Sequence, residues 1–344
     1  MRIRFLFCFL VLLVPVLSQG QTAAPKETII FDEIYDEPYS LNKLFIQIQP
    51  FYGEMFVTNV NAGFGLEAHY YLDNKANFQA SFRKTYSQKF FDFSRDLAAK
   101  NSNMSNQPEN FNYFELGGTY HIKDFDTRGT TKMVLYRKSY KRNAWASKVP
   151  MVAEVPATLR QIYGARLGGI FWDSSVDLNR ALAAQNLTNA ALVDAVGNGM
   201  PLTYQDEFGR TYDVSVFSNM YSRGLYVGAS LTRIRNIAVS IERYESAVDD
   251  GIFTAFFDIM VAPGIRVDDV IYQGTTYSTA AMNLRSVGMR AGIEGRFNRA
   301  VSWAYGAEIG YRPSFEGRSF YALFKMSFPV FSSNLDNKVE SFQK

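Results

Sequence analysis

The chain contains 344 residues, with 36 Lys and Arg against 33 Asp and Glu, so its formal net charge is only +3. This balance disfavours a nucleic-acid-binding protein, which normally concentrates a basic excess on one face. Mean hydropathy is −0.14. No stretch after residue 20 offers the roughly 18 consecutive apolar residues of a membrane-spanning helix. The only cysteine is Cys8, so disulfides, cysteine–metal sites and thiol nucleophiles are excluded from the rest of the chain.

The first twenty residues have the three-part layout of a secretory signal peptide. A basic start, Met1-Arg-Ile-Arg4, precedes an apolar run from Phe5 to Leu17, and Ser18-Gln-Gly20 then offers small residues for cleavage before Gln21. An uncleaved N-terminal anchor is the alternative. Removing residues 1–20 leaves 34 basic and 33 acidic residues, a net charge of +1.

Alternation with a period of two dominates the chain after residue 40. Apolar and polar residues alternate over four clear segments, 64–72, 114–122, 287–297 and 301–311. Such alternation is typical of β-strands that have one apolar and one polar face.

Two folds accommodate strands of this kind: a soluble sandwich or an outer-membrane barrel whose apolar face meets lipid. Three features favour the barrel. The strands are long enough for a tilted membrane crossing. Tight turns alternate with long polar loops, and aromatic residues such as Tyr70, Phe171 and Tyr311 lie near strand ends. We therefore predict an all-β protein, a transmembrane antiparallel β-barrel with short periplasmic turns and long extracellular loops.

The strand count follows from a parity argument. Twelve segments are easily seen, beginning near residues 43, 62, 76, 112, 131, 159, 222, 236, 252, 284, 300 and 318. With twelve strands, however, the longest connection, 173–220, falls on the periplasmic side and the tight turn at 235–236 falls outside. Two further strands, Lys148–Val155 and Ile265–Gln273, place all long loops outside and all tight turns, including 125–130 and 156–158, inside. About fourteen strands are therefore predicted, with twelve as the alternative, because a one-chain barrel has an even number.

The predicted organisation is a signal peptide (1–20), an acidic N-terminal periplasmic arm (21–41), the barrel (42–331) and a C-terminal tail (332–344). The arm could plug the lumen, dock to a periplasmic partner by strand addition through Thr28–Phe31, or remain a solvated terminus. The 173–220 loop carries a helical stripe over 177–196 and a hairpin around Phe208. A loop of this size is usually functional; it could constrict or cap the mouth, or be a surface ornament.

Charged residues in the middle of strands lie on the polar, lumen-facing side. Opposite charges on adjacent strands can pair across the ladder or set pore selectivity. The two histidines lack metal-ligand spacing, so no metal, cofactor or catalytic residue is predicted, and we expect the protein not to be an enzyme. The lumen-lining candidates are Glu67, His69, Glu115, His121, Arg166, Arg290, Glu294, Arg296, Glu308 and Arg312.

The signal peptide, the alternating strands and the aromatic final strand, Gly317–Phe331, together resemble the outer-membrane β-barrel class of Gram-negative bacteria. The resemblance implies a location in the cell outer membrane, contact with its lipid, and recognition of the last strand by barrel-insertion machinery. A departure is that thirteen residues follow Phe331. The architecture is also similar to that of the long-chain fatty-acid transporter family, but no shared motif transfers a binding residue.

Two functions follow from a barrel. The first is a pore or transporter for small solutes. The second is a non-enzymatic structural or assembly barrel, a subunit of an outer-membrane complex, with a possible periplasmic or membrane partner through residues 21–40. The lumen discriminates between them. A fully ion-paired interior favours the second function, whereas an unpaired stripe of one sign favours the first.

Overall fold

The structure, a computed structural model, describes residues 31–56, 59–72, 74–87, 104–109, 111–136, 150–242, 244–299 and 302–333. The predicted signal peptide, the first ten residues of the predicted arm and most of the predicted tail lie outside these ranges. Within the described residues, no helix has both the length and the apolar character needed to cross a membrane.

The described part of the chain is almost entirely β-structure. The helix α1 spans Leu178–Ala184, and a 3-10 turn spans Asn189–Ala191. In chain order the strands are β1 (Glu33–Asp36), β2 (Leu44–Phe56), β3 (Asn59–Leu72), β4 (Ala76–Thr85), β5 (Asn112–Tyr136), β6 (Pro150–Asp177), β7 (Thr203–Gln205), β8 (Thr211–Asp213), β9 (Phe217–Ile234), β10 (Ile237–Ile241), β11 (Tyr244–Asp249), β12 (Gly251–Val267), β13 (Val270–Tyr272), β14 (Thr275–Tyr277), β15 (Leu284–Arg285), β16 (Val287–Phe297), β17 (Ala304–Tyr311), β18 (Ser314–Phe315) and β19 (Phe320–Ser332).

Ten of these strands close into one antiparallel barrel, in the order β12-β16-β17-β19-β2-β3-β4-β5-β6-β9. Along each strand buried and exposed residues alternate, so one face lines the interior and the other forms the outer surface. The outer face is apolar, with Leu116, Leu167 and Leu225 more than half exposed. The last strand, β19, pairs with β2 and completes the ring. The all-β, antiparallel barrel predicted from the sequence is therefore present.

The predicted fourteen strands are not found, nor are the alternative twelve, because four predicted strands belong elsewhere. We call the end of the barrel at which both described chain ends lie the lower end. The segment near 131 belongs to the lower half of β5, and the described part of Lys148–Val155 belongs to the lower half of β6. The segment near 236 is β10, which pairs outside the barrel with β1 and β11. Ile265–Gln273 is divided between the end of β12 and the small β13–β14 hairpin.

The physical reason for the wrong strand number is the composition of the lower part of the β5–β6 hairpin. Its strands contain Gly129 and Pro156, which sequence rules assign to turns, yet Gly129 pairs with Ala157 and Pro156 with Thr130 in an unbroken ladder. These residues lie beyond the barrel wall, where polar strand residues face solvent. The β5–β6 hairpin continues past the last β6–β9 pair of the barrel, over residues 127–136 and 150–159, which is about 33 Å at 3.3 Å per residue. We call this part the projection.

The projection packs on the small sheet formed by β1, β10 and β11. Buried residues of both parts form one apolar cluster, in which Leu135 and Val155 contact the layer that contains Ile237 and Val239. The strand β1 belongs to the predicted acidic arm and pairs along β10 of its own chain, with Glu33 opposite Ser240. The described part of the arm is therefore an ordered component of the lower end. The docking segment Thr28–Phe31 lies almost wholly outside the described residues.

The large loop covers the opposite, upper end as a cap. Asp177 caps the N-terminus of helix α1, and its side chain accepts a hydrogen bond from the Arg180 amide. The helix is shorter than predicted: it ends at Ala184, and Asn186 adopts a positive φ of 57°, which does not continue a right-handed helix. The predicted hairpin around Phe208 is present as β7 and β8.

Apolar residues join the cap to the barrel mouth. Leu178, Leu182 and Val216 share a buried cluster with Phe56 and Trp172 of the barrel wall, whose rings meet edge-on at 4.8 Å. A polar turn further out, centred on Asp194, is closed by hydrogen bonds that Asn198 donates. These bonds hold the pKa of the Asp194 carboxyl below its usual range. The loop therefore covers the mouth, as one of the sequence-based alternatives proposed.

We expect Leu135→Ala to loosen the projection selectively. The Leu135 side chain is fully buried, and truncation of a buried Leu costs about 2–5 kcal/mol. Hydrogen exchange of the β10 backbone amides, which pair within the supporting sheet, should accelerate. The neighbouring Val134 points outward and is 47% exposed, so Val134→Ala is the matched control and should change exchange little. Equal acceleration in both variants would contradict the packing described here.

Candidate functional site in the barrel interior

All ten sequence-predicted lumen residues lie on barrel strands, or directly after one, on the inner face. Nine of them are buried, and the Glu294 side chain is 12% exposed. The alternation of the strands places them there: each occupies the same parity as the buried residues two positions away. The structure brings eight of the ten, all but His121 and Arg312, into two ion-paired clusters.

The first cluster is centred on Arg290 of β16. Its guanidinium contacts Glu115 (Nη2–Oε1 2.6 Å), Asp258 (Nε–Oδ2 2.8 Å) and Glu308 (Nη1–Oε2 3.5 Å). Arg166 supplies a second base, with its Nε 2.9 Å from Asp258 Oδ1. The contact between Arg290 and Glu115 spans the lumen, since β16 and β5 are four places apart in the ten-strand ring. The cluster therefore ties opposite walls together.

The second cluster is centred on Lys325 of β19. The Lys325 Nζ donates to Glu67 and to Glu294, the latter at 2.7 Å. Arg296 approaches Glu294 at 3.6 Å, and His69 Nε2 lies 4.0 Å from Glu67. Each carboxylate thus contacts at least one base.

Arg312 forms a third pair near the upper mouth. Its two terminal nitrogens contact both oxygens of Glu54, at 3.2 and 2.9 Å, the bidentate geometry that makes arginine–carboxylate pairs strong. The guanidinium also lies over the Tyr321 ring, 4.1 Å from its centroid, and over Phe56 at 4.6 Å. The pair is the junction between the charged interior and the aromatic mouth.

Tyrosine hydroxyls complete the hydrogen bonding of the carboxylates. Tyr113 donates to Glu115 at 2.6 Å, and Tyr321 donates to Glu308 at 3.2 Å. A buried carboxylate without such donors would carry a large desolvation cost. The hydroxyls are therefore part of the electrostatic support of the two carboxylates.

Glycines on the inner wall provide the room for these side chains. A Cβ placed at Gly228 would lie 2.1 Å from a carboxylate oxygen of Asp258, and one at Gly306 would lie 2.4 Å from Cε of Lys325. Any other residue at these positions would displace the charged groups from the barrel axis.

Little free volume is left between the charged clusters. The cavity that Arg290, Glu294 and Lys325 line measures about 10 Å³, which accommodates the centre of about one water molecule. Below it, an apolar layer of inward-facing residues includes Phe45, Tyr71 and also Leu41 from the arm. Above it lies the aromatic cluster of the cap. The charged interior is thus enclosed between two apolar layers of the described chain.

Sequence reasoning missed four charged members of the interior: Glu54, Arg83, Asp258 and Lys325. Glu54, Asp258 and Lys325 each stand alone among mostly apolar residues, as in Phe-Phe-Asp258-Ile-Met, whereas Arg83 is followed by Lys84. The signal that would have found them is parity, since Asp258 lies directly opposite Arg290 in the β12–β16 register. The same pair shows that charges do pair across adjacent strands, as the sequence had indicated.

The histidines belong to different environments. His69 lies in the Lys325 cluster, whereas the His121 ring lies 3.2 Å from the Asn77 side chain near the lower mouth. Over the described ranges, no group of three or more His, Cys, Asp and Glu residues has the arrangement of a metal site.

Below the barrel, Asp250 pairs with Arg299. Burial raises the pKa of Asp250, and the Arg299 guanidinium only partly offsets the rise.

Comparisons with known proteins leave the description at the level of architecture. No protein-family model matches the chain, and no curated protein sequence matches it. Among solved structures, it is similar to a chain described as "TodX deltaS2S3 mutant monoaromatic hydrocarbon channel", with 10% identity, a TM-score of 0.19 and coverage of 85% of this chain and 91% of that one. The class that the fold itself defines is a closed, ten-stranded antiparallel β-barrel.

We expect Arg290→Met to be strongly destabilising because it leaves three buried carboxylates with reduced compensation. Breaking a buried ion pair from one side costs about 3–5 kcal/mol, measurable as a lower midpoint of urea unfolding of the refolded barrel. Adding Glu115→Gln should recover part of the loss. The control is Arg266→Met, whose side chain is 71% exposed and pairs with Asp268; it should cost at most about 1 kcal/mol. Equal losses in both single variants would argue against a structural role for the Arg290 cluster.

Proposed function

We propose that the chain is an outer-membrane β-barrel that is closed at rest and serves as a non-enzymatic structural or assembly subunit of an outer-membrane complex. The observation that carries this proposal is the ion-paired interior, which joins opposite walls through Arg290 and leaves a central cavity of about 10 Å³. The charged atoms of the Arg290 and Lys325 clusters bind one another, so they are not available to a passing solute.

The outer surface supports a position in a membrane. Phe114 and Phe171 pair in register near the upper ends of β5 and β6. The segments from Phe114 to Ile122 and from Tyr163 to Phe171, which end near the lower rim at Ile122 and Tyr163, each contain nine residues, which matches the 9–11 residues of a tilted membrane strand. Aromatic residues at both levels have the positions of interfacial girdles. Both described ends of the chain lie below the barrel, the side expected to be periplasmic.

The strand number also favours a closed interior. Eight-stranded barrels fill their interior with side chains, whereas barrels of 16–18 strands leave an aqueous channel. A ten-stranded barrel is close in size to the eight-stranded barrels, whose interior is filled. The large side chains of Arg290, Tyr226 and Phe256 occupy the space that remains, with the Arg290 guanidinium 4.6 Å from the Tyr226 ring centroid.

The projection supports an assembly role. It extends from the barrel on the side of the chain ends, and its outer face carries Val134 directly opposite Val152, exposed by 47% and 61%. This apolar pair lies away from the barrel wall and is not part of the buried clusters of the described chain. Exposed apolar surface of this kind marks sites of protein association.

We expect no steady conductance when the chain from residue 21 onward is inserted into planar bilayers. A variant lacking residues 21–40 should also be silent, because the charged layer above Leu41 remains in place. A porin of known conductance, measured in the same bilayers, verifies that insertion is detected.

Two outcomes would contradict the closed-barrel proposal in different ways. Steady conductance of the chain from residue 21 onward would support a pore. Conductance only after removal of residues 21–40 would identify the arm as a plug, one of the alternatives that the sequence left open.

We expect the double variant Val134→Asp, Val152→Asp to disrupt the native complex. Mild detergent extracts of outer membranes, separated on native gels, should contain the unmodified chain in a species heavier than the monomer and the double variant as the monomer. Tyr212→Asp, an exposed position on the cap hairpin at the other end, is the control and should keep the heavy species. A monomeric unmodified chain would overturn the assembly proposal.

Gated transport of a small solute is the second candidate function. One observation favours it: the β2–β4 wall of the lumen carries buried polar groups that bind nothing else in the described chain. A transporter would need the cap to move before solute could reach that wall.

A further inference from the structure

A cavity opens on the outer surface of the barrel, at its lower rim. Its volume is about 250 Å³, against about 10 Å³ for the cavity between the interior clusters. Residues of β9, β12, β16 and β17 line it, together with Leu159 of β6. Arg296 also borders it, but the Arg296 guanidinium pairs with Glu294 of the interior. We call this space the rim cavity.

The upper row of the rim cavity crosses four adjacent strands. Arg233 of β9 lies opposite Phe253 of β12, Phe253 opposite Gly295 of β16, and Gly295 opposite Tyr305 of β17. The Tyr305 ring lies across Gly295, where a Cβ would be 2.3 Å from Tyr305 Cζ. Only glycine lets the ring lie this close to the backbone, so the row has an arginine on one side and aromatic rings on the other.

The lower row contributes a second arginine and a second glycine. The Arg235 amide donates to the Gly251 carbonyl at 3.0 Å, and Gly251 lies opposite Phe297. A Cβ at Gly251 would meet no atom closer than Asp249 Oδ1, at 3.8 Å. The space over Gly251 is therefore free, and a larger side chain at this position would enter it.

The polar lining of the rim cavity carries an excess of positive charge. Arg235 Nη1 contacts Asp249 Oδ2 at 3.1 Å and Thr131 Oγ1 at 3.4 Å, so this guanidinium is held in place by an acid. Arg233 is exposed and forms no ion pair within the described part of the chain. Among the described lining residues Asp249 is the one acid, and the charge of Arg233 is left uncompensated.

The rim cavity lies at the depth at which a bilayer would place its headgroups. Tyr163, near the lower rim, pairs with Leu231, and Arg233 lies two residues further down β9, about 7 Å along the strand at 3.3 Å per residue. Above the cavity the outer face is apolar, with Phe257 and Ile293 exposed by 48% and 41%. The arginines thus lie at the level of lipid phosphates, directly below a surface that suits acyl chains.

We propose that the rim cavity binds the headgroup of an anionic phospholipid from the inner leaflet of the membrane. Arginine is well suited to donate to phosphate oxygens, and basic pockets at membrane interfaces bind anionic lipid headgroups. A zwitterionic headgroup would bring an ammonium group that Arg233 repels. A soluble phosphate would leave the aromatic side of the cavity uncovered. This inference rests on the membrane position in the proposed function.

The test counts the phospholipid molecules that stay bound to the chain. The chain from residue 21 onward is refolded in detergent with dioleoylphosphatidylglycerol or, at equal concentration, dioleoylphosphatidylethanolamine. Native mass spectrometry then measures bound lipid per chain. We expect one dominant phosphatidylglycerol adduct and clearly less phosphatidylethanolamine.

Two variants and a matched control define the site. Arg233→Gln should lower phosphatidylglycerol retention about tenfold, because charge-assisted hydrogen bonds to phosphate are strong. Gly251→Leu keeps every charge but fills the cavity, so it should lower retention similarly. The control is Arg223→Gln, which removes an exposed arginine from the same strand, opposite Phe171 near the upper end. It should retain as much lipid as the unmodified chain. All three positions are at the surface, so the thermal midpoint should stay unchanged.

Three results would overturn the proposal. Equal retention in Arg233→Gln and Arg223→Gln would reduce the effect to general surface charge, and undiminished retention in Gly251→Leu would place the lipid elsewhere. Equal retention of the two lipids would remove the selection for an anion. Complete displacement of the lipid by equimolar inorganic phosphate would assign the cavity to a soluble anion instead.

Flotation separates failure of the rim cavity from failure of the proposed membrane position. The unmodified chain and the Arg233→Gln variant are refolded with vesicles of phosphatidylcholine, which carry no net charge, and both should float with the vesicles. A chain that floats but gives any of the three results above contradicts the rim cavity alone. A chain that does not float contradicts the membrane position and the rim cavity together.

Discussion

The salt bridges of Arg290 are the interaction on which the rest of this barrel depends. They place a carboxylate oxygen of Glu115, from the far wall, 2.6 Å from the Arg290 guanidinium, and they hold Asp258 from the neighbouring strand. A buried charge is costly unless it is paired and hydrogen-bonded. The small residues at Gly228 and Gly306, the hydroxyls of the lumen tyrosines and the apolar layers at both mouths all serve that requirement. The closed interior is therefore a consequence of charge compensation in a narrow ring of strands.

Much of the architecture could be predicted from the sequence, because alternation with a period of two is a local property. It gave the barrel, its inner face and ten lumen residues. The number of barrel strands could not be predicted from this alternation. Gly129 and Pro156 mark turns in most contexts, and only the pairing of β5 with β6 along their whole length shows that they lie in a continuous hairpin. The helix of the cap was predicted too long for a related reason, since apolar spacing continues past Asn186 although the backbone turns there.

The candidate site was predictable only in part. Charge on a polar face identifies Arg290 or Glu308, but nothing local distinguishes a base that has a carboxylate partner from one that has none. Arg83 is unusual only because Glu54 and Glu115 are taken by other bases, and those contacts join residues 258 and 175 positions apart in the chain. Such assignments depend on how the whole ring closes. They are properties of the tertiary structure and not of any single strand.

The pairing of β2 with β19 also constrains how the chain folds. Residues near the two ends of the barrel sequence must meet before the ring exists, and Lys325 contacts Glu67, which lies 258 positions away in the chain. Contacts this distant in sequence make folding slow, since much chain entropy is lost before they form. Until β19 pairs with β2, the ring is open and the carboxylates of the interior remain hydrated. Closure would then dehydrate all of them in a single step, which makes the final strand the point at which folding becomes cooperative.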